Sequence, residues 1–271
     1  MTAAPPVALT IAGSDSGGGA GLQADLRTFT TCGVHGCVAV TAVTVQNSLG
    51  VFGFVEIPPS TVADQIRVVA TDIGVAAAKT GMLASAAIIS AVAGACDEVG
   101  IGRSVPLVVD PVAASMHGDP LLADDALAAL RSELFPRATL VTPNLDEVRL
   151  LVDLDVGSRA DQYTAAKELY AQGSQWVLVK GGHLHDDPEC LDLLYDGNEF
   201  TAFTGPRLAT PHNHGSGDTL AAAITSALAR GVAMREAVGY GKRYIEQAVA
   251  HAYPLGAGVG PVSPFWRIQP P

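Results

Sequence analysis

Along this chain, short unbroken runs of apolar residues alternate with longer stretches in which apolar residues recur at helical spacing. The first run spans 7–12 and stops at Gly13-Ser14-Asp15-Ser16-Gly17-Gly18-Gly19; a helical stretch follows over 20–31. The rhythm continues with strand 37–45, helix 60–72, strand 76–79, helix 84–99, strand 107–110, helix 123–134 and strand 139–142. Helices over 144–151 and 159–172 precede a further strand at 176–180. Val and Thr in 37–45 suit a pleated surface, and Ser60 is placed to cap the helix that follows it. Strands with no polar alternation are buried on both faces, so the pattern predicts an α/β fold, its mostly parallel central sheet covered by helices on both sides. In the C-terminal half the rhythm changes. Segments 191–195 and 199–204 flank Asp196-Gly197-Asn198, a turn sequence that predicts a β-hairpin. Helices over 219–230 and 235–252 complete the chain. No repeat or linker divides it, so a single domain over 1–271 is expected.

Composition narrows the function classes. With 48% hydrophobic and 16% charged residues over 271 positions, the chain can bury a large core. A net charge of −11 with no basic stripe excludes nucleic acid as the main partner. It does not exclude a phosphorylated substrate, because helix N-termini and a few lysines can reverse the sign within one cleft. The four cysteines (Cys32, Cys37, Cys96 and Cys190) form no CxxC pair and read as free thiols in a reducing cytoplasm. No apolar run reaches the length of a membrane span, and the N-terminal segment lacks a basic leader region, so a cytoplasmic location with no membrane partner is expected.

In sheets of this kind, ligands bind beyond the carboxyl ends of the strands. Asp15, Gln46, Lys79, Asp110, Asn144 and Lys180 all fall at or just past those ends. Two common phosphate motifs are absent: no lysine completes GxxxxGK[ST], and Gly17-Gly18-Gly19-Ala20-Gly21 ends one residue short of GxGxxG. His214-Gly215-Ser216-Gly217-Asp218-Thr219 offers another device. Its glycines let backbone N–H groups approach a ligand, and the helix start that follows adds unpaired donors. Asp218 there either complements the helix dipole or accepts a proton from an alcohol attacking a bound phosphoryl group. Asp110 and Glu147 suit a hydrated magnesium ion, although Asn144 and Glu147 also read as a capping box. Lys180 is either a solvated strand end or a mobile charge for phosphates. His183 with His185, and His212 with His214, are spaced as metal pairs, but no HExxH-type motif supports zinc.

Taken together, the stretches at 10–26, 41–47 (TAVTVQN), 79–83 (KTGML), 109–112 (VDPV), 142–147 (TPNLDE), 180–183 (KGGH) and 215–218 (GSGD), down to 258–262, resemble the hydroxymethylpyrimidine kinases of thiamin biosynthesis. The resemblance covers nearly the whole chain and implies a ribokinase-like three-layer sandwich. It implies ATP as co-substrate, Mg2+, a pyrimidine alcohol and further phosphorylation of its monophosphate, and a homodimer. By the same resemblance, Asp218 and Lys180 are catalytic and Gly215, Ser216 and Gly217 form an anion hole. Gly13, Asp25, Gln46, Met82 and Val112 bind the substrate, Lys180 and Lys242 contact ATP, and Asp110 and Glu147 arrange the magnesium. One residue departs from the pattern. Many of these kinases carry cysteine where this chain has Asp218, an aspartate typical of ribokinases and many pyridoxal kinases. Pyridoxal phosphorylation is therefore the second reading, and a non-catalytic pyrimidine- or nucleotide-binding protein the third.

Overall fold

Each inner strand sends alternate residues into opposite helical layers, which is why its sequence is apolar without interruption. In β5 (Leu107–Val109), Leu107 and Val109 enter one core and Val108 the other; Val177 and Val179 of β7 (Val177–Lys180) are likewise separated from Leu178. The computed structural model describes residues 4–113, 122–182, 184 and 189–268. The other strands are β1 (Val7–Ser14), β2 (His35–Asn47), β3 (Gly50–Glu56), β4 (Ala77–Thr80), β6 (Leu140–Val141), β8 (Glu189–Tyr195) and β9 (Phe200–Pro206). They form one nine-stranded sheet in the order β3-β2-β1-β4-β5-β6-β7-β8-β9. The six strands from β2 to β7 in that order are mutually parallel, while β3 and β8 pair antiparallel with their neighbours.

Helices α1 (Gly21–Thr31), α7 (Ser216–Ala229) and α8 (Met234–Ala250) cover one face. Helices α2 (Pro59–Asp72), α3 (Ala86–Val99), α4 (Asp124–Ala129), α5 (Leu145–Val152) and α6 (Arg159–Tyr170) cover the other. The three-layer α/β sandwich is as the sequence predicts. Every residue of α7 from Thr219 to Ala229 is buried, which its small side chains permit between the sheet and α8. The C-terminal hairpin is present as β8 and β9, with Asp196 Oδ1 accepting from the amides of Asn198 and Glu199 to shape the turn.

Three local expectations need correction. Strand β3 was not anticipated; it pairs antiparallel with β2 and forms a free sheet edge. Ser60 is not a cap, because α2 begins at Pro59 with Pro58 before it, and proline's fixed φ suits a first helical turn. The helix expected over 123–134 is α4 continued by a π turn (Leu130–Leu134) and a 3-10 turn (Phe135–Arg137).

Candidate active site

Strands β1, β4, β5, β6 and β7 all end on the same side of the sheet, and a cleft of about 480 Å³ opens there. Its lining includes Gly13, Gln46, Met82, Asp110, Val112, Glu147, Lys180, Gly215, Ser216, Gly217 and Asp218. Helix α7 points its N-terminus into this cleft. Gly215, the residue before it, has φ +74°, and a Cβ there would lie 2.0 Å from the carbonyl oxygen of Gly19. Only glycine lets the loop after β1 and the loop before α7 meet so closely. The amides of Gly217 and Asp218, which donate to no protein acceptor among the described residues, and the helix dipole behind them make the cradle an anion site. Asp218, the third residue of α7, stands in the same turn with its side chain 16% exposed.

The opposite wall is acidic and ordered by lysine. Lys180 Nζ donates to Asp110 Oδ1 at 3.0 Å and lies 3.8 Å from Glu147 Oε2; Thr142 also donates to Asp110 Oδ1. Asn144 and Glu147 form a complete capping box at the start of α5: Glu147 Oε2 accepts from the Asn144 amide, and Asn144 Oδ1 accepts from the Glu147 amide. Burial pushes Glu147 up to about 7 against the pull of Lys180, and the Asp110 charge adds to the rise. Burial alone would lower Lys180, but Asp110 and Glu147 hold its ammonium above the usual lysine range. Among the described residues, Oδ2 of Asp110 and Oε1 of Glu147 accept no hydrogen bond from the protein. Two buried hard oxygens facing one cleft fit a magnesium ion that keeps most of its water.

Beneath the cleft lies a second ion pair. Lys79 Nζ donates to both oxygens of Asp25 at 2.8 and 2.9 Å, and Thr10 Oγ1 donates to Asp25 Oδ2 at 2.6 Å. Asp25 and Lys79 are fully buried. Burial, with the Asp218 charge added, pushes Asp25 up to about 7 against the pull of Lys79. Burial alone would lower Lys79, but Asp25, then Asp218 and Asp110, keep it above its usual range. Lys79 donates to both oxygens of Asp25, the arrangement of an ion pair, and the Thr10 hydroxyl adds a third hydrogen bond.

This geometry leaves two of the expected site residues outside the cleft. Asp25 does not reach the substrate pocket, because it faces the sheet from α1 and both its oxygens are taken. Lys242 does not line the cleft; its Nζ donates to Asp192 Oδ2 and the Cys190 carbonyl, fastening α8 to β8. His212 and His214 do not form a metal pair either. His212 Nδ1 accepts from the Gly260 amide, while Nε2 of His214 sits 3.0 Å from Asp15 Oδ2; His183 and His185 lie outside the described residues. His214 and Asp15 are lining residues whose joint position was missed. Asp15 also accepts from the amides of Gly17, Gly19 and Ala20, which sets the glycine loop. Burial alone would raise Asp15, but His214 and these amides hold it below the usual carboxylate range. Gln46 Nε2 lies 3.4 Å from His214 Nε2, and Met82 faces Gly13 across the same end of the cleft.

Gripping a phosphoryl group at a helix N-terminus while a carboxylate waits beside its acceptor is the task of a small-molecule kinase, and this fold and cleft place the chain in that class. The family model of phosphomethylpyrimidine kinase matches residues 15–263, and the chain belongs to that family. A hydroxymethylpyrimidine/phosphomethylpyrimidine kinase of Mycobacterium tuberculosis is 60% identical over 265 residues, covering 98% of this chain and 96% of that one. Among solved structures, an ADP complex of Bacillus subtilis pyridoxal kinase superposes with a TM-score of 0.90 at 36% identity, over 98% of this chain and 100% of the other. A phosphomethylpyrimidine kinase of Clostridium difficile gives a TM-score of 0.79 at 38% identity, over 90% and 99%.

Proposed function

We propose that the chain, acting as one kinase unit, transfers the γ-phosphoryl group of ATP to the hydroxyl of 4-amino-5-hydroxymethyl-2-methylpyrimidine, and then a second phosphoryl group to the monophosphate, in thiamin biosynthesis. The observation that carries this reading is Asp218 in the first turn of α7, beside the Gly215–Gly217 cradle and inside the cleft that Gln46 and Met82 line. In the first transfer Asp218 takes the hydroxyl proton. The alcohol oxygen forms its bond to the γ-phosphorus as the bond to the β-γ bridging oxygen breaks, and that electron pair leaves with ADP. The Gly215–Gly217 cradle receives the charge on the moving group through its free amides, and Lys180 supports the nucleotide phosphates. Asp110 and Glu147 would hold a hydrated magnesium ion, which supplies charge neutralisation to the phosphates when bound. Gln46 offers both a donor and an acceptor to a pyrimidine edge, with Gly13, Met82 and Val112 packed around the ring.

The 36% identity to a pyridoxal kinase favours pyridoxal as a second acceptor. The deciding measurement is ADP release with the pyrimidine alcohol, its monophosphate and pyridoxal as acceptors. We expect the highest kcat/KM with the pyrimidines. A clear preference for pyridoxal reverses the ranking, and ligand binding without ADP release from any acceptor removes the kinase reading.

We also propose a homodimer that buries the β2–β3 edge, where Val43, Val45, Phe52 and Val55 are exposed, Phe52 by 67% and Val55 by 69%. An uncovered apolar edge strand favours self-association. The four unpaired cysteines suit a reducing compartment, the cytoplasm.

A further inference from the structure

We propose that the glycine-rich segment 256–262 is a positioning brace for phosphoryl transfer: it holds the tip of the β2–β3 hairpin, and with it Gln46, in register with the α7 cradle. The proposal rests on the reading of the Gln46 end of the cleft as the acceptor's. Gln46 and Asn47 lie past the last pairing of β1 with β2, that of Ser14 with Val43, so the hairpin tip projects beyond its neighbour in the sheet. A two-stranded projection is marginally stable by itself. Yet this tip supplies Gln46, Asn47 and Gly50 to the cleft wall, while the loop before α7 supplies His214 and Gly215. Ser16 steadies one side of the tip, its Oγ donating to the Gln46 carbonyl at 2.7 Å and accepting from the Gln46 amide at 2.8 Å. The brace steadies the other.

On the hairpin side, the Val259 amide donates to the Ser48 carbonyl at 3.0 Å and the Gly258 amide to Ser48 Oγ at 3.2 Å. On the cradle side, the His214 amide donates to the Gly260 carbonyl at 3.2 Å, and the Val262 amide to the His214 carbonyl at 3.1 Å. His212 Nδ1 accepts from the Gly260 amide at 3.0 Å. Val262 then enters the core between α7 and α8, and the Ser263 amide donates to the Ala248 carbonyl of α8. The glycine spacing follows from this crowding. A Cβ on Gly258 would lie 1.9 Å from the Ser48 carbonyl oxygen, and one on Gly260 2.0 Å from the Tyr253 carbonyl oxygen. Among the described residues lining the cleft none comes from 256–262, so the segment acts through the two walls it joins. A tail that merely closed the core at Val262 would need no contact with Ser48.

Gly258→Ala tests the brace, because it must force the segment and Ser48 about 1 Å or more apart. The φ of Gly258 lies outside the left-handed region, so alanine adds bulk without backbone strain. The variant should lower kcat/KM for the pyrimidine alcohol by about 10–100-fold, chiefly through KM, with KM for ATP within about twofold. Hydrogen exchange should quicken about tenfold in peptides spanning 44–51 and stay unchanged in the inner strands. Ser48→Ala removes only the bond from the Gly258 amide and should give the same pattern at about two- to fivefold. Thermal melts confirm folding, and should Gly258→Ala not fold, Ser48→Ala decides alone. Equal rises in both KM values, or a lowered Tm with the acceptor KM unmoved, overturn the proposal, since that is what a merely structural tail would give. Gln46→Ala tests the underlying reading separately: if it too leaves the acceptor KM unmoved, the acceptor does not bind at this end of the cleft.

Discussion

Asp218→Asn should separate the two phosphoryl transfers. In the first, the nucleophile is an alcohol whose proton must leave, and loss of a positioned base lowers such a step by about 10²–10⁴, or roughly 3–5 kcal/mol. In the second, the nucleophile is a phosphate monoester, already largely dianionic above about pH 6, so there is little proton for a base to remove. The structure adds a further contrast. Asp218 is a mostly buried carboxylate in the anion cradle, and its charge repels a dianionic acceptor, by on the order of 3 kcal/mol per unit charge at ~5 Å and an effective dielectric of ~20. Asparagine removes that repulsion while keeping the shape. The second transfer should therefore fall by less than about tenfold while the first falls by at least about a hundredfold. Coupled ADP-release assays with the alcohol and with its monophosphate, at one pH above neutrality, measure both. Equal losses of a hundredfold in the two steps would refute the reasoning, because Asp218 would then serve something common to both. Near-normal turnover of the alcohol would remove it from the proton transfer.

Other outcomes test the remaining assignments. Glu147 is pushed up to about 7, so its contribution to folding is fully present below the ordinary carboxyl range and is lost as pH rises through about 7. Glu147→Gln lacks this loss and can still accept the Asn144 amide; its melting temperature relative to the parent should rise between about pH 4.5 and 7, and a flat difference would contradict the shift. Lys242→Met strands the buried Asp192 carboxylate and should cost about 3–5 kcal/mol, lowering Tm by roughly 10 °C with KM for ATP within about twofold. A large rise in that KM without a change in Tm would return Lys242 to the nucleotide site. Val55→Lys at the free sheet edge should yield monomers in analytical ultracentrifugation, whereas an unchanged sedimentation coefficient for a dimeric parent would place the interface elsewhere.

What the sequence discloses follows from the range of the forces involved. Doubly buried strands such as 107–109 and 177–179 announce themselves because burial leaves no polar position, and those strand ends locate the cleft. The α7 cradle is equally local, since glycines, carboxylate and helix start are contiguous. Strand β3 escaped notice because its residues are half-buried or exposed, so it carries no burial pattern; only the alternation of Val51, Phe52, Phe54 and Val55 around glycines marked it. Asp25 and Lys242 lie outside the cleft for a different reason. Their partners, Lys79 and Asp192, lie 54 and 50 residues away, and no local periodicity says that a helix will turn an acid or a lysine toward the sheet. His214 and Asp15 meet across 199 residues and were beyond reach in the same way.

The charge balance of the cleft connects these particulars. Asp15, Asp110, Asp146, Glu147 and Asp218 line the cleft against Arg149 and Lys180, with the Asp25–Lys79 pair beneath, a formal excess of three negative charges when all are ionised. Part of this excess is relieved through Glu147, raised to about 7. An arriving triphosphate would make the imbalance worse, so the amide cradle alone does not explain how the nucleotide is accepted. A divalent cation held by Asp110 and Glu147 would offset this excess in sign, and it would return Glu147 to its ionised form on binding. The chain's strong overall acidity is thus no argument against a phosphate substrate. Within this cleft the acids would be the means by which a metal holds the phosphates against the α7 cradle.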